Sequence, residues 1–235
     1  MRWGYVTRNV ADAVTPPKVP QTEATALDEK QAVALLLQLQ GTDLYLPVLL
    51  ALHTGMRSGE ILGLHWRDVD LENRVLTVGT TLQSVDGELI LREPKSHAGR
   101  RRIPLTGATV DALKAHSAAQ AEHIASGETY SDNDLVVCRK DGSPWHPSTF
   151  SAAWIAARNR LGPRVRFHDL RHTHASLLAR SRAPAKVLQE RLGHATAAFT
   201  LNVYGHLLPG VQEQAVKDFA ALLSSAEQEL KKGDA

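Results

Sequence analysis

Apolar residues recur at helical spacing along most of the chain, and the period switches to that of strands only between Arg74 and Leu105. Asp28 is placed to cap a first helix, with Val33, Leu36, Leu37 and Leu39 as its apolar stripe. A second helix is expected from about Thr42 to Leu52, carrying Leu44, Leu46, Val48, Leu49 and Leu52. The segment His53-Thr54-Gly55-Met56-Arg57 breaks it, and Ser58 starts a short helix with Ile61, Leu62 and Leu64. Arg74–Val78, Glu88–Leu91 and Arg101–Leu105 then read as strands of one small antiparallel sheet, with Asp86-Gly87 as the turn between the first two. Beyond it the pattern is helical, apart from the short apolar run Leu135–Val137. Val110, Leu113 and Ile124 mark a long helix after Thr106, and Phe150, Trp154 and Ile155 mark another. After Pro209-Gly210, residues Val211, Ala215, Phe219, Leu222 and Leu223 form a last apolar stripe. Residues 1–26 read as tail and linker, because Pro16, Pro17 and Pro20 exclude a helix interior. The expected class is α+β, mainly α-helical, without internal repeats.

Composition narrows the classes of function. The 235 residues are 43% hydrophobic and 22% charged, which excludes a disordered or collagen-like chain. The single cysteine, Cys138, cannot build a disulfide framework, a four-thiolate zinc site or an iron–sulfur cluster within one chain, and it suits a reducing cytoplasm. No apolar run approaches a membrane span, and Met1–Val10 carries no signal-peptide block. The net charge of +2 says little, but its distribution says more. From Arg158 to Arg191 there are nine Lys/Arg against two Asp/Glu, Arg100–Arg102 form a second basic knot, and Val211–Ala235 has three basic and five acidic residues. Such a layout fits either a polyanion-binding surface with an appended acidic segment or two solvated helix faces.

Four polar clusters fall where a helical core has no need of them. In Thr54-Gly55-Met56-Arg57-Ser58-Gly59-Glu60, the glycine permits a tight turn, Arg57 stands at a helix start that favours anions, and Glu60 lies three residues on, placed to orient the guanidinium. Lys95 sits in the turn Pro94–Arg100 ahead of the arginine knot. His168 and Arg171, at i and i+3, share a helix face, where a phosphate between imidazole and guanidinium satisfies both. Leu192-Gly193-His194 is followed ten residues later by Tyr204. Taken singly, the first, second and fourth read rather as a surface Arg–Glu pair, a solvated lysine and an ordinary aromatic, and only the third favours a phosphate over a polar helix face. A metal is disfavoured: His172 and His174, two apart, point to different faces, and no carboxylate completes a zinc helix.

Together, the order Arg, Lys, His-x-x-Arg, His, Tyr resembles the tyrosine recombinase (phage integrase) family. The strings that carry the resemblance are TGMRSGE, EPKSHAGRRRIPL, HDLRHTHASLL and LGHATAAFTLNVYGH, and it extends over about Ala26 to Ala226. The family's functional residues map onto Arg57, Lys95, His168, Arg171, His194 and Tyr204, with no departure at any of the six. The resemblance implies a catalytic domain over residues 27–226, with 1–26 a remnant of an N-terminal core-binding domain and its linker, and 227–235 a tail. Arg2–Ala11 resembles the last helix of that missing domain, which implies either an excised catalytic domain or a truncated gene product.

The implied reaction is transesterification of a DNA phosphodiester, with Tyr204 as nucleophile, His168 as general base and Lys95 as proton donor to the leaving oxygen. Arg57, Arg171 and His194 would hold the phosphate. Neither metal nor ATP is implied, and no P-loop string is present. The implied partners are double-stranded DNA attachment sites and further copies of the chain, four on DNA, linked by the C-terminal helix. The implied location is the cytoplasm, on the nucleoid. A type IB topoisomerase shares the chemistry but not this order of motifs. A decayed integrase that only binds DNA is the alternative from another class.

Overall fold

In the computed structural model of the chain, the residues described are 14–15, 26–93, 99–126, 129–162, 165–194, 216–217, 219–221 and 224. Asp28 closes a capping box at the start of α1 (Glu29–Leu39): its carboxylate accepts the Gln31 N–H at 2.8 Å, and the Gln31 side chain accepts the Asp28 N–H at 3.0 Å. The buried face of α1 is Ala32, Leu35 and Leu39, whereas Val33 and Leu37 are 56% and 60% exposed. The expected stripe was therefore rotated. Positions 32–37 are all apolar, so periodicity alone cannot select a face, and the small Ala32 gives little signal of its burial.

The helix α2 (Tyr45–Thr54) is apolar on nearly every side, with Leu46 through Leu52 buried, and forms the centre of the core. Helices α1, α3 (Ser58–Leu62), α4 (Gly107–Ala125) and α6 (Phe167–Arg180) pack around it. Gly55 ends it in the left-handed conformation, φ +70°. The helix α4 starts at Thr106, whose hydroxyl accepts the Thr109 N–H at 3.3 Å; Val110 and Leu113 are buried, but Ile124 is exposed. In α5 (Pro147–Leu161) the buried side chains are Phe150, Trp154 and Ala157, and Ile155 is exposed. The helix α7 (Ala185–Leu192) packs against α6 through Ala175, Ala179, Leu188 and Leu192.

The strands sort into two sheets rather than one. β1 (Val69–Asp70), β2 (Val75–Val78) and β5 (Arg101–Pro104) form a three-stranded antiparallel sheet, with Val75 opposite Pro104 and Val78 opposite Arg101. β3 (Thr81–Val85) and β4 (Glu88–Arg92) form a separate hairpin. The expected strand over Glu88–Leu91 exists, but its partner is β3, which the sequence reading missed. Thr81-Leu82-Gln83-Ser84-Val85 is polar, and only Leu82 is buried. Asp86 and Gly87 both have positive φ, 52° and 87°, matching the twist of a two-residue hairpin.

Near the C-terminus, residues 216–217, 219–221 and 224 are helical, and Val216 and Phe219 are exposed. The other members of the expected stripe, Val211, Ala215, Leu222 and Leu223, lie outside the described residues. Among the described residues, no helix is long and apolar enough to cross a membrane.

Candidate active site

The turn after α2 sets the first functional side chain. Arg57 is the N-cap of α3, in extended backbone, and Glu60 reaches back to it: one carboxylate oxygen accepts the Arg57 N–H at 2.8 Å, the other its Nη1 at 2.9 Å. Glu60 is buried, while the Arg57 side chain is 43% exposed, so the pair holds the guanidinium at the surface. Burial works to raise the Glu60 pKa, but hydrogen bonds and charge from Arg101 and Arg57 outweigh it and hold the carboxyl below its ordinary range.

Arg101 is the second partner of Glu60. Its Nη1 and Nη2 donate to the two carboxylate oxygens at 3.0 and 2.8 Å, and its Nε to the Arg191 carbonyl at 2.7 Å. The arginine knot is thus not one polyanion contact: Arg101 is buried beside Ile103 on the inner face of β5, and Arg100 and Arg102 face outward. Strand alternation through Ile103 was the available signal.

Two further side chains come from α6. Arg171 is 3% exposed, and donates from Nη1 to the Gly55 carbonyl at 2.6 Å and from Nη2 to the Leu192 carbonyl at 2.5 Å. His168, one turn earlier, is exposed, its ring centroid 5.0 Å from that of His172 in an edge-to-face pair. The expected shared projection of His168 and Arg171 is therefore uneven. Arg171 dips between the ends of α2 and α7 while His168 stays outside. Gly193 ends α7 with φ +65°, and His194 follows, its N–H bonded to the Gln189 carbonyl at 3.1 Å.

Electrostatics shows which groups the fold brings together. The His194 pKa is lowered to about 4, first by burial and then by the charges of Arg171, Arg57 and Arg101. That of His168, whose ring is shielded on one side only, is lowered by this partial burial, by His172, and by Arg171 and Arg57. Arg57, His168, Arg171 and His194 thus share one site, two fixed cations beside imidazoles that are uncharged near neutrality. Lys95 and Tyr204 lie outside the described residues. His172 and His174 diverge, as their spacing predicts. His174 is buried, with Nδ1 bonded to the Leu52 carbonyl at 2.8 Å and Nε2 accepting from Arg191 Nε at 3.1 Å. Sequence reasoning gave Arg191 no role of its own. Its remaining N–H groups bind the carbonyls of Pro104 and His53.

The basic stretch Arg158–Arg191 is likewise less open than its charge suggested. Arg171 and Arg191 point inward, and Arg166, Arg180 and Lys186 pair with Asp169, Glu29 and Glu190. What the site can do chemically is hold a tetrahedral anion between guanidinium groups and offer it a neutral imidazole.

The profile of the phage integrase family matches residues 25–210. The chain belongs to the phage integrase family. A XerC-like tyrosine recombinase of Caldanaerobacter subterraneus is 29% identical over 235 aligned positions, which cover 91% of this chain and 60% of that protein. The ICEBs1 integrase of Bacillus subtilis is 29% identical over 163 positions, 68% of this chain and 44% of the integrase. The chain spans about half the length of these relatives. The fold is that of integrase catalytic domains. The Tn1549 transposon integrase, solved with transposon right-end DNA, superposes with a TM-score of 0.69 at 23% identity, over 84% of this chain and 66% of that one. The catalytic domain of bacteriophage HP1 integrase superposes with a TM-score of 0.53 at 24% identity, over 83% of this chain and 95% of that domain.

Proposed function

We propose that this chain is the catalytic part of a site-specific DNA recombinase that integrates or excises a phage or mobile element through a 3′-phosphotyrosyl intermediate. The observation that carries the reading is the pairing of two braced guanidinium groups, Arg57 and Arg171, with the uncharged imidazoles of His168 and His194. The naming of relatives as phage and transposon integrases supports it.

Residues 27–226 form the catalytic unit in this reading, with 1–26 the end of a DNA-clamping domain and 227–235 a tail. A DNA phosphodiester sits with its non-bridging oxygens toward Arg57 and Arg171, and His194 adds a hydrogen bond. Tyr204 attacks the phosphorus as its phenolic proton passes to His168. The bond to the 5′-oxygen breaks, and that oxygen takes a proton from Lys95. A free phenol titrates near pH 10, so the reaction depends on a base that is neutral at physiological pH, a state that partial burial, His172 and the neighbouring cations favour further in His168. Preorganised donors of the Arg57 and Arg171 kind are worth about 10²–10³ in rate each. One phosphoester replaces another, so rejoining to a new 5′-hydroxyl needs no ATP. The exposed Phe219 supports docking of the C-terminal stripe onto a neighbouring copy within a tetramer on DNA.

The test is a nicked suicide substrate. The chain is expected to form a covalent adduct that survives denaturing electrophoresis. Tyr204→Phe is expected to abolish the adduct and leave DNA binding nearly unchanged, with affinity falling steeply as salt rises. Binding without an adduct would make the chain a DNA-binding module only, and an adduct in Tyr204→Phe would name another nucleophile.

A further inference from the structure

Arg101 is a cation buried on a sheet strand with its donors turned inward. Its two terminal nitrogens fork onto the Glu60 carboxylate, Nη1 also reaches the Gly99 carbonyl at 3.3 Å, and Nε binds the Arg191 carbonyl. Stability alone is a weak reason for such a pair, because a buried ion pair is often no more stabilising than apolar side chains of the same volume. Its partners suggest another reason. Glu60 is the group that holds both the backbone N–H and the guanidinium of Arg57. Arg191 is one residue before Leu192, whose carbonyl binds Arg171, and three before His194. Arg101 thus touches the support of Arg57 directly and binds the end of α7 one residue before the support of Arg171 and three before His194.

We propose that Arg101 is a positioning residue for the phosphate-binding cations. It divides the Glu60 carboxylate between two guanidinium groups, so that Glu60 orients Arg57 without neutralising it. The three side chains together carry a net charge of +1, offered at the exposed member. At the same time Arg101 pins the end of α7, from which His194 emerges. The inference rests on the recombinase reading, in which Arg57 binds the scissile phosphate.

Arg101→Lys tests it, since lysine keeps the charge but cannot form the fork. With the nicked substrate at saturating concentration, the first-order rate of adduct formation is expected to fall about 10- to 100-fold, the scale of a misplaced catalytic group. The DNA Kd should stay within about twofold. Combining Arg101→Lys with Arg57→Ala should cost less than the product of the two single losses, because the part of the Arg101 effect that runs through Glu60 and Arg57 is already gone. A purely structural brace would lower the melting temperature and leave the rate per folded molecule unchanged, which would overturn the proposal. So would a loss confined to Kd. If Arg101→Lys does not fold, Glu60→Gln asks the same question from the other side of the pair, with the same expected split between rate and affinity. A wild-type chain that forms no adduct would overturn the recombinase reading itself; an adduct rate indifferent to Arg101→Lys or Glu60→Gln would overturn this inference alone.

Discussion

Arg171 reaches back 116 residues to the carbonyl of Gly55, which accepts from its Nη1 at 2.6 Å. The same guanidinium binds the Leu192 carbonyl, so one buried cation faces the C-terminal ends of both α2 and α7, where helix dipoles concentrate negative charge. It joins the turn that carries Arg57 to the helix end that carries His194.

Replacing Arg171 by Ala is therefore expected to cost folding stability as well as adduct formation. Each hydrogen bond to a charged group is worth roughly 1.5–3 kcal/mol, and two buried carbonyls lose their donor together. Arg171→Lys should recover only part, because an ammonium cannot span both acceptors as the planar fork does. Urea denaturation of the two variants measures this, and an unchanged midpoint for Arg171→Ala would contradict the assignment.

Gly55 and Gly41 separate backbone strain from crowding. Both have positive φ, +70° and +76°. A Cβ on Gly55 would lie 2.6 Å from His174 Cδ2 and 2.9 Å from Leu192 Cδ2, whereas one on Gly41 would meet nothing within 4 Å. Gly41→Ala should cost about 1–2 kcal/mol for the left-handed backbone alone. Gly55→Ala should cost about 1–3 kcal/mol more from overpacking. Equal losses in the two variants would refute the crowding at His174.

His174 makes stability depend on pH in a defined window. Burial, and then the charge of Arg191, lower its pKa to about 3. The unfolded chain binds a proton near the ordinary histidine value of about 6.5 and the folded chain does not, so stability falls as pH drops from about 6.5 toward 3. Burial also lowers His53, His116, His168, His172 and His194, which add to the slope. The carboxylates Glu60 and Asp169, held low in the folded state, lose their contribution only below about pH 4.5. Between pH 6.5 and 4.5 the stability profile thus reports histidines, and His174→Gln should flatten it. A profile in that window that His174→Gln leaves as steep would count against the buried neutral ring.

Phe219 is 62% exposed. Phe219→Ala should shift stability by no more than about 0.5 kcal/mol, the range for surface substitutions. If the C-terminal stripe docks onto a neighbouring copy, the same variant should lose multi-subunit complexes on DNA. Melting curves and gel-shift ladders read the two effects side by side, and a collapsed melting temperature would show that the ring packs within its own chain.

The legible parts of the site were those encoded over a few residues. Glu60 three positions after Arg57 was readable as an orienting partner, and the carboxylate does bind both the backbone and the guanidinium. The cap at Asp28 was readable for the same reason; the return bond from Gln31 and the hydroxyl cap at Thr106 came only with the structure. Less legible was β3, a polar strand whose place is decided by the hairpin turn and by Leu82 packing near α3.

By itself, the sequence determined the helical class, the cap at Asp28, the motif order and the family. These rest on hydrogen bonds and side-chain periodicities that close within one or two turns of chain. Only the tertiary structure decided which cations go inside. Strand alternation marks the side of β5 that Arg101 takes and a motif marks Arg171, but nothing local says that these two and Arg191 are turned inward while Arg100, Arg102 and Arg180 are exposed. A guanidinium can leave water only where oxygens are already waiting for it. Those oxygens, on Glu60, Gly55, Leu192, His53 and Pro104, come from segments 21 to 138 residues away. No local pattern carries that information, because it exists only once α2, α7 and β5 have been brought together.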